Sequence, residues 1–268
     1  MAFRFHKMHG LGNDFVVVDA RNEAVAMDPS MARAIADRRT GVGCDQLILI
    51  GPGTRTDVTM RIWNADGSEV AACGNATRCV PVLVGADCTI ETAAGILHAA
   101  LDGSGARVDM GAPRTGWDQI PLAYPMDTAA LPIGWDELTG PAAVNVGNPH
   151  LVFFVANADA VPLETIGPVI EHDPLFPERT NVNVATIHAR DHVTMRTWER
   201  GAGLTRACGT GACATFAAGR RLGLLDAAVQ IDLPGGTLHL SENEDGHLIM
   251  SGPATHVFAG EADLAALA

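Results

Sequence analysis

The chain has 268 residues, of which 47% are hydrophobic, and its formal net charge is −13 at pH 7. The length suffices for two domains of roughly 130 residues, each with its own core, and the apolar content excludes a disordered chain. A surface this acidic repels phosphate backbones and anionic lipids, so we expect neither nucleic acid nor a membrane as a partner.

The apolar runs and the spacing of the cysteines indicate the cellular compartment and the role of the cysteines. No apolar run approaches the roughly 18 residues of a membrane helix, and the first 15 residues have no apolar region typical of a secretory signal, so we expect a cytoplasmic protein. None of the six cysteines is in a CxxC pair, and we therefore expect no metal site. Cys44, Cys79, Cys88 and Cys213 are interpreted as small buried hydrophobes.

Short apolar runs bounded by Gly, Pro, Asn and Asp predict strands along the whole chain. In order they are FVVVD (15–19), QLILI (46–50), VTMRIW (58–63), HLVFFV (150–155), VTMRTW (193–198), VQIDL (229–233) and TLHLS (237–241). Helical patterns occupy 29–39 and 162–173 and follow Cys73 and Cys208, and AAGIL and PGGTL predict hairpin turns. Many strands with few helices favour an α+β fold.

The chain repeats itself. VTMRIWNADGSEVAACG (58–74) aligns without a gap with VTMRTWERGAGLTRACG (193–209), 135 positions later, and beyond the cysteines an offset of 141 places 89–98 on 230–239. We interpret this as two copies of one unit, each long enough to be a domain. The predicted domains are residues 1–115 together with 254–268, and residues 116–253. The strand-like HVF (256–258) would return to the first domain.

A cysteine precedes a glycine and a helical pattern in each copy, at Cys73 and Cys208. Unpaired backbone N–H groups and the helix dipole favour a thiolate there and can hold a carboxylate. Two such helix N-termini facing each other would place the two sulfurs on opposite sides of one carbon atom of a bound substrate. Removing a proton from one side and returning one to the other inverts a stereocentre. The alternative is a duplication that left two buried cysteines with no chemical role.

Polar residues also fall at matched positions and could line one pocket. The pairs are Asn13 with Asn148, Gln46 with Asn181, and Asn64 with Glu199. The symmetry breaks where Asn64-Ala65 of the first copy becomes Glu199-Arg200 of the second. A substrate whose two ends differ requires such asymmetry. Arg200 could bind a distal carboxylate, and Glu199 could hold an ammonium group.

Five motifs together resemble those of diaminopimelate epimerases: KMHGLGNDF (7–15), NADGSEVAACGNATRC (64–79), GNPH (147–150), FPERTN (176–181) and ERGAGLTRACGTGACA (199–214). They cover nearly the whole chain in the family's order. The resemblance implies two homologous domains related by a pseudo-twofold axis, each a barrel-like mixed sheet around a central helix, with the active site in the interdomain cleft. It also implies a homodimer that interconverts LL- and meso-2,6-diaminopimelate for lysine and peptidoglycan precursor synthesis, without pyridoxal phosphate or another cofactor.

The resemblance also implies roles for individual residues. Cys73 and Cys208 would be the acid/base pair, and His150 and Glu199 would tune the two thiols. The reacting carboxylate would bind at Gly74, Asn75, Gly209 and Thr210. The rest of the substrate would bind Asn13, Gln46, Asn64, Asn148, Asn181, Glu199 and Arg200. Pro81 departs from the expected pattern and should kink the helix that follows Cys73.

Other functions remain open at this point. GTGACA (209–214) fits the G-x-G-x-x-A pattern of a dinucleotide-binding oxidoreductase, although no apolar strand leads directly into it. Cys73 and Cys208 could form a regulatory disulfide. A non-catalytic amino-acid binder and a racemase of another amino acid are the remaining alternatives.

Overall fold

The computed structural model describes residues 2–263. The chain forms two compact units, one extending to Val108 and resuming at Ser251, the other spanning Asp109–Met250. These units are defined by compactness and not by independent folding, so the predicted domains, residues 1–115 with 254–268 and residues 116–253, stay a prediction. Among the described residues, no helix has the length and apolar character needed to cross a membrane.

Unit 1 consists of short strands and two helices. Its strands up to Asp109 are β1 (Ala2–Gly10), β2 (Asn13–Asp19), β3 (Gln46–Pro52), β4 (Val58–Asn64), β5 (Glu69–Val70), β6 (Cys88–Thr92), β7 (Gly95–Asp102) and β8 (Gly105–Asp109). The helices are α1 (Pro29–Ala36) and α2 (Gly74–Val84). β2 pairs with β3 and β4 with β6 in parallel, whereas β1–β2, β3–β4, β4–β5 and β6–β7 are antiparallel. The sheet is therefore mixed.

Unit 2 repeats this plan. Its strands are β9 (Gly134–Trp135), β10 (Leu138–Thr139), β11 (Ala142–Asn145), β12 (Pro149–Phe154), β13 (Asn181–Ala189), β14 (His192–Glu199), β15 (Gly203–Thr205), β16 (Ala228–Leu233) and β17 (Gly236–Glu242), and β18 (Leu248–Pro253) begins in unit 2 and ends in unit 1. The helices are α3 (Leu163–Glu171) and α4 (Gly209–Arg221). β12–β13 and β14–β16 are parallel, and β11–β12, β13–β14, β14–β15 and β16–β17 are antiparallel. The prediction of an α+β fold in two copies is confirmed.

The last described strand, β19 (Thr255–Asp263), belongs to unit 1. It pairs antiparallel with β1 along its length, from Ala2↔Asp263 to His9↔Thr255. The prediction that HVF returns to the first copy is confirmed.

The registers of the two units agree residue by residue. The parallel pair Phe15↔Gln46 corresponds to His150↔Asn181, and Ile48↔Ile62 corresponds to Asn183↔Thr197, each at an offset of 135. The hairpin pair Thr92↔Gly95 corresponds to Leu233↔Gly236 at an offset of 141. The sequence repeat is therefore a repeat of strand pairing.

The helix after each cysteine is embedded in its own unit. In α4 every residue from Gly211 to Gly219 is buried, as expected for a helix without a polar face. Its small residues allow close packing, since a Cβ on Gly219 would lie 2.3 Å from Leu225 Cδ1. In α2 the residues from Gly74 to Pro81 are buried, and the helix continues through Pro81 to Val84. The predicted kink at Pro81 stays a prediction.

Candidate active site

Each repeated cysteine is the residue that caps a helix. Cys73 precedes α2 with φ −149°, and Cys208 precedes α4 with φ −122°, so both have extended backbones immediately before the first helical turn. Cys208 Sγ accepts a hydrogen bond from Gly211 N at 3.3 Å. The prediction of a cysteine at each helix start is confirmed. The other four cysteines are buried, as predicted.

In unit 1 the Asn13 carboxamide lies beside Cys73. Cys73 Sγ is 3.9 Å from Asn13 Oδ1, which also accepts a hydrogen bond from Asn75 Nδ2 at 3.1 Å. Asn13 Nδ2 donates to Asp45 Oδ2 at 3.0 Å. A carboxylate only accepts, so Asp45 fixes the amide orientation and directs Asn13 Oδ1 toward the sulfur.

Arg78 supports this arrangement through Asn75, the residue that donates to Asn13. Sequence analysis did not identify Arg78. Its side chain is completely buried on α2, and Nη2 donates to Asn75 Oδ1 at 3.0 Å. Nε lies 3.4 Å from the Pro253 carbonyl, which anchors the guanidinium to the segment before β19. A guanidinium only donates, so Arg78 orients Asn75 with its Nδ2 toward Asn13.

Gln46 and Asn64 face each other across β3 and β4. Gln46 Nε2 donates to Asn64 Oδ1 at 3.0 Å, and Asn64 Nδ2 donates to Ser68 Oγ at 3.1 Å. Within the described residues, buried Gln46 Oε1 has no hydrogen-bond partner. A buried acceptor in this state is suited to an ammonium or another donor.

In unit 2, Cys208 lies against a buried carboxylate. The Glu199 carboxylate and the Cys208 thiol affect each other's pKa, and Glu199 Oε1 accepts from Thr205 Oγ1 at 2.5 Å. Burial raises the pKa of Glu199, against the smaller, opposing effects of Thr205 and Cys208. Burial and then the Glu199 charge raise the pKa of the Cys208 thiol well above its ordinary value of 9.0.

The net pKa of Cys208 is therefore raised, so the thiolate expected at this helix N-terminus is not favoured. The hydrogen bonds from Thr210 and Gly211 do lower it. They are outweighed because the sulfur is desolvated and faces an anion, and both effects disfavour a thiolate. The protonated thiol is the favoured form of Cys208.

Asn181 and Arg200 meet where β13 begins and β14 ends. Asn181 Oδ1 accepts from Arg200 N at 2.9 Å, and Asn181 Nδ2 donates to Pro149 O at 2.8 Å. The Arg200 side chain is held by the Glu178 carbonyl at 2.8 Å from Nη1. Asn181 therefore holds the turn that carries Arg200 in place, through backbone groups on both sides.

His150 is completely buried between two carboxamides. Its Nε2 lies 2.9 Å from Asn148 Oδ1 and its Nδ1 lies 3.2 Å from Asn183 Nδ2. Burial, followed by the positive charge of Arg200, lowers the pKa of His150 to about 3. The imidazole is neutral at physiological pH.

Two further observations concern the alternative functions. Gly209, Gly211 and Ala214 of the G-x-G-x-x-A match lie inside α4 and not in a turn between strand and helix. This arrangement differs from that of a dinucleotide-binding fold, where the first glycines form the turn. Within residues 2–263, no group of three or more His, Cys, Asp or Glu could hold a metal ion.

Solved structures with this fold include PhzF-family proteins, a probable proline racemase and a hydroxyproline epimerase. A PhzF-family phenazine biosynthesis protein of Bacillus anthracis superposes with a TM-score of 0.68 at 17% identity, over 98% of this chain and 99% of that one. A hydroxyproline epimerase of Agrobacterium vitis superposes with a TM-score of 0.70 at 14% identity, over 97% and 91% of the two chains. At these identities the likeness defines the fold alone.

The sequence relatives define the family. The family model for diaminopimelate epimerase matches residues 5–116 and 142–257. The diaminopimelate epimerase of Zymomonas mobilis is 63% identical over 99% of both chains. That of Rhizorhabdus wittichii is 59% identical over 99% of this chain and 97% of its own. The chain belongs to the diaminopimelate epimerase family, and the resemblance seen in the motifs is confirmed.

Proposed function

We propose that this protein interconverts LL- and meso-2,6-diaminopimelate without a cofactor, in the synthesis of lysine and peptidoglycan precursors. One observation supports this most strongly. This chain belongs to the family, and its Cys73 and Cys208 cap equivalent buried helices in two units whose strand pairing is repeated residue by residue.

The proposed reaction needs only these two sulfurs and the helix ends. One cysteine, as a thiolate, takes the proton from the α-carbon, and its S–H bond forms as the C–H bond breaks. The other cysteine, as a thiol, gives its proton to the opposite face of the same carbon. The backbone N–H groups at Gly74-Asn75 and Gly209-Thr210 bind the carboxylate, which takes up negative charge as the proton leaves. The reverse reaction exchanges the roles of the two sulfurs.

Glu199 gives Cys208 a proton partner. Cys208 starts as the thiol, because burial and the carboxylate hold its proton. When Cys208 has to act as the base, we propose that Glu199 accepts that proton, since the pKa of its own buried carboxyl is raised. In unit 1, the carbonyl oxygen of Asn13 can accept a hydrogen bond from the Cys73 thiol but does not take its proton.

The remaining polar groups are proposed to bind the distal end of the substrate. Gln46 Oε1 offers an unused buried acceptor, and Arg200 offers a cation next to β14. Asn64, Asn148 and Asn181 complete the set. We also propose a cytoplasmic homodimer, for which the support is the composition for the compartment and the family resemblance for the dimer.

The proposed function is tested by product analysis on reduced protein without added cofactor. The chain is incubated with LL-diaminopimelate, and in parallel with L-proline, L-glutamate and L-lysine, and the stereoisomers are separated chromatographically. We expect meso-diaminopimelate from the first substrate and no inversion of the other three. Inversion of another amino acid at a higher rate would replace the proposed substrate, and inversion of none would contradict the proposed function.

A further inference from the structure

We propose that His150 is a positioning residue. Asn183 holds it as the neutral tautomer protonated on Nε2, and His150 in turn orients the Asn148 carboxamide so that its Nδ2 donor is presented to an oxygen of the substrate. The hydrogen-bonded series Asn183–His150–Asn148, called the relay below, lies wholly within unit 2. Only its last step, the contact with substrate, rests on the proposed function.

The direction of the relay is set by a backbone carbonyl. Asn183 Nδ2 donates to Leu151 O at 2.8 Å, and Asn183 Oδ1 accepts from Thr197 Oγ1 at 2.9 Å. A peptide carbonyl only accepts, so the nitrogen of the Asn183 carboxamide must face Leu151. The orientation of this completely buried amide therefore has one solution.

The tautomer of His150 follows from that orientation. The second hydrogen of Asn183 Nδ2 faces His150 Nδ1 at 3.2 Å, so Nδ1 must be an acceptor. The ring proton is then on Nε2, which donates to Asn148 Oδ1 at 2.9 Å. A second ring proton would add a buried charge beside the Arg200 cation and is disfavoured.

Asn148 is left with one outward group. Its Oδ1 is used by His150, and within residues 2–263 its Nδ2 makes no hydrogen bond. The side chain is only partly buried, unlike those of His150 and Asn183. An amide nitrogen with free hydrogens is suited to a carboxylate oxygen and not to an ammonium group.

The repeat shows that the fold does not need this buried polar relay. At the equivalent positions in unit 1 stand Phe15, Ile48 and Ile62, where unit 2 has His150, Asn183 and Thr197. All six side chains are buried. Apolar side chains thus support the same strand pairing in unit 1, and burying polar groups is costly unless they are fully hydrogen-bonded.

The relay also lies directly beneath the first turn of α4. A Cβ added to Gly211 would be 2.5 Å from Asn183 Oδ1 and 3.2 Å from Cys208 Sγ. The glycine allows the helix end, the sulfur and the relay to be in close contact. Polar groups placed here act on the site of Cys208 and not on a remote part of the core.

The tautomer is measured by nitrogen-15 NMR of histidine-labelled protein, with the His150 signals assigned by their loss in His150→Gln. We expect an unprotonated Nδ1 and a protonated Nε2 that do not titrate between about pH 5 and 9. A proton on Nδ1 in the wild type, or titration in that range, would overturn the proposal. This measurement needs no activity and no substrate.

Two variants test whether Asn183 sets the tautomer of His150, because one should change the tautomer and the other should not. In Asn183→Asp the donor to Nδ1 is gone, so we expect Nδ1 to gain a proton. In Thr197→Val the bond to Asn183 Oδ1 is lost but Leu151 still fixes the amide, so we expect the wild-type tautomer. A wild-type tautomer in folded Asn183→Asp would contradict the relay, as would a changed tautomer in Thr197→Val.

Kinetics then test the outward donor. If Nδ2 faces a substrate oxygen, Asn148→Asp replaces a donor with a repelling acceptor, and its KM should exceed that of Asn148→Ala by tenfold or more. A KM for Asn148→Asp at or below that of Asn148→Ala would show that the amide presents its oxygen, contrary to the proposal. An inactive wild type with the expected tautomer would refute the proposed function and leave the His150 arrangement standing.

Discussion

Glu199 and Cys208 influence each other in a buried part of unit 2, and burial makes each hold its proton more firmly than in water. The carboxyl is further bound by Thr205 at 2.5 Å and the sulfur by Gly211 N at 3.3 Å. Burial is the largest cause of both pKa increases, and the carboxylate charge adds to that of the thiol. The pair therefore resists forming two anions.

Glu199→Gln should make Cys208 more reactive. Removing the carboxylate charge lowers the thiol pKa, because the thiolate no longer faces an anion. A decrease of about one pKa unit corresponds to about 1.4 kcal/mol and a tenfold larger thiolate fraction at a pH below the pKa. The measurement is the rate of iodoacetamide alkylation of Cys208 against pH, followed by peptide mapping.

Cys213 is the internal control for this measurement, since it is buried further along the same helix. Its alkylation should be equally slow in the wild type and the variant. If Cys208 in Glu199→Gln reacts no faster than in the wild type, Glu199 does not govern that thiol.

Gly211→Ala should disrupt the beginning of α4. The new Cβ would lie 2.5 Å from Asn183 Oδ1 and 3.0 Å from Thr197 Oγ1, and both neighbours are buried. Overpacking of this kind costs about 1–3 kcal/mol, and we also expect at least a tenfold loss of epimerase kcat/KM. Urea unfolding and steady-state kinetics measure the two effects.

Gly116→Ala provides the comparison for that variant. Its Cβ would meet only the ends of the flexible Asp118 and Gln119 side chains, at 2.8 and 3.0 Å. We expect unfolding within about 0.5 kcal/mol of the wild type, as for most surface substitutions. Equal stability of the two variants would mean that the contact at Gly211 relaxes without cost.

Glu171→Ala should destabilise the turn that carries Glu199 and Arg200. Glu171 is 3% exposed, and it accepts from Trp198 Nε1 at 2.8 Å and from Gly201 N at 3.0 Å. Two donors would lose their partner, at a cost of about 1–3 kcal/mol each. We expect a loss of about 3 kcal/mol in the free energy of unfolding and a higher KM.

Glu164→Ala on the same helix is the matched control. Glu164 is 59% exposed and pairs with Arg196 at 3.1 Å, and exposed ion pairs contribute about 0–1 kcal/mol. Similar losses from the two glutamates would show that Glu171 is not an anchor.

Asp14 should account for part of the acid sensitivity. Burial acts to raise its pKa, but hydrogen bonds with Arg38 and Lys7 lower it well below the ordinary value of 3.8. A carboxyl with a depressed folded-state pKa stabilises the protein above the unfolded pKa, and this is lost as the pH falls toward the folded value. Asp14→Asn should therefore be less stable than the wild type at pH 6, and the difference should shrink below about pH 4.

Urea unfolding from pH 6 to pH 2.5 measures this prediction. Arg38→Gln should remove part of the same pH dependence, since Arg38 binds Asp14 Oδ1 at 2.6 Å. A stability difference between the wild type and Asp14→Asn that stays constant over this range would rule out the linkage.

The sequence was sufficient for the elements whose pattern is local or repeated. Alternating apolar residues gave β4, where Val58, Met60 and Ile62 are buried, and the offset of 135 related its partner in unit 2. The capping positions of Cys73 and Cys208 followed from the glycines and the helical patterns after them. These features depend on neighbours in sequence, which a pattern records.

The supporting residues could not be found that way. Asp45 acts through a hydrogen bond to Asn13, which is distant in the chain, and Arg78 acts through its helix neighbour Asn75, which in turn bonds the distant Asn13. The raised pKa of Cys208 also depends on burial, which its position at a helix end does not reveal. Asn183 could have been identified from the repeat, which aligns it with Ile48. A polar residue at a position that is apolar in the other copy indicates a buried side chain with a functional role.

The central claim is that two thiols act on opposite faces of one carbon, and deuterium exchange tests it most directly. Reduced protein is placed in D₂O with LL-diaminopimelate and no cofactor, and deuterium at the α-carbon and meso product are followed together. Cys73→Ala and Cys208→Ala are compared with Cys79→Ala and Cys213→Ala, whose sulfurs lie within the same two helices. We predict exchange with inversion in the wild type and in the latter pair, and loss of inversion in the former pair. Inversion that persists in Cys73→Ala or Cys208→Ala would contradict the two-thiol mechanism.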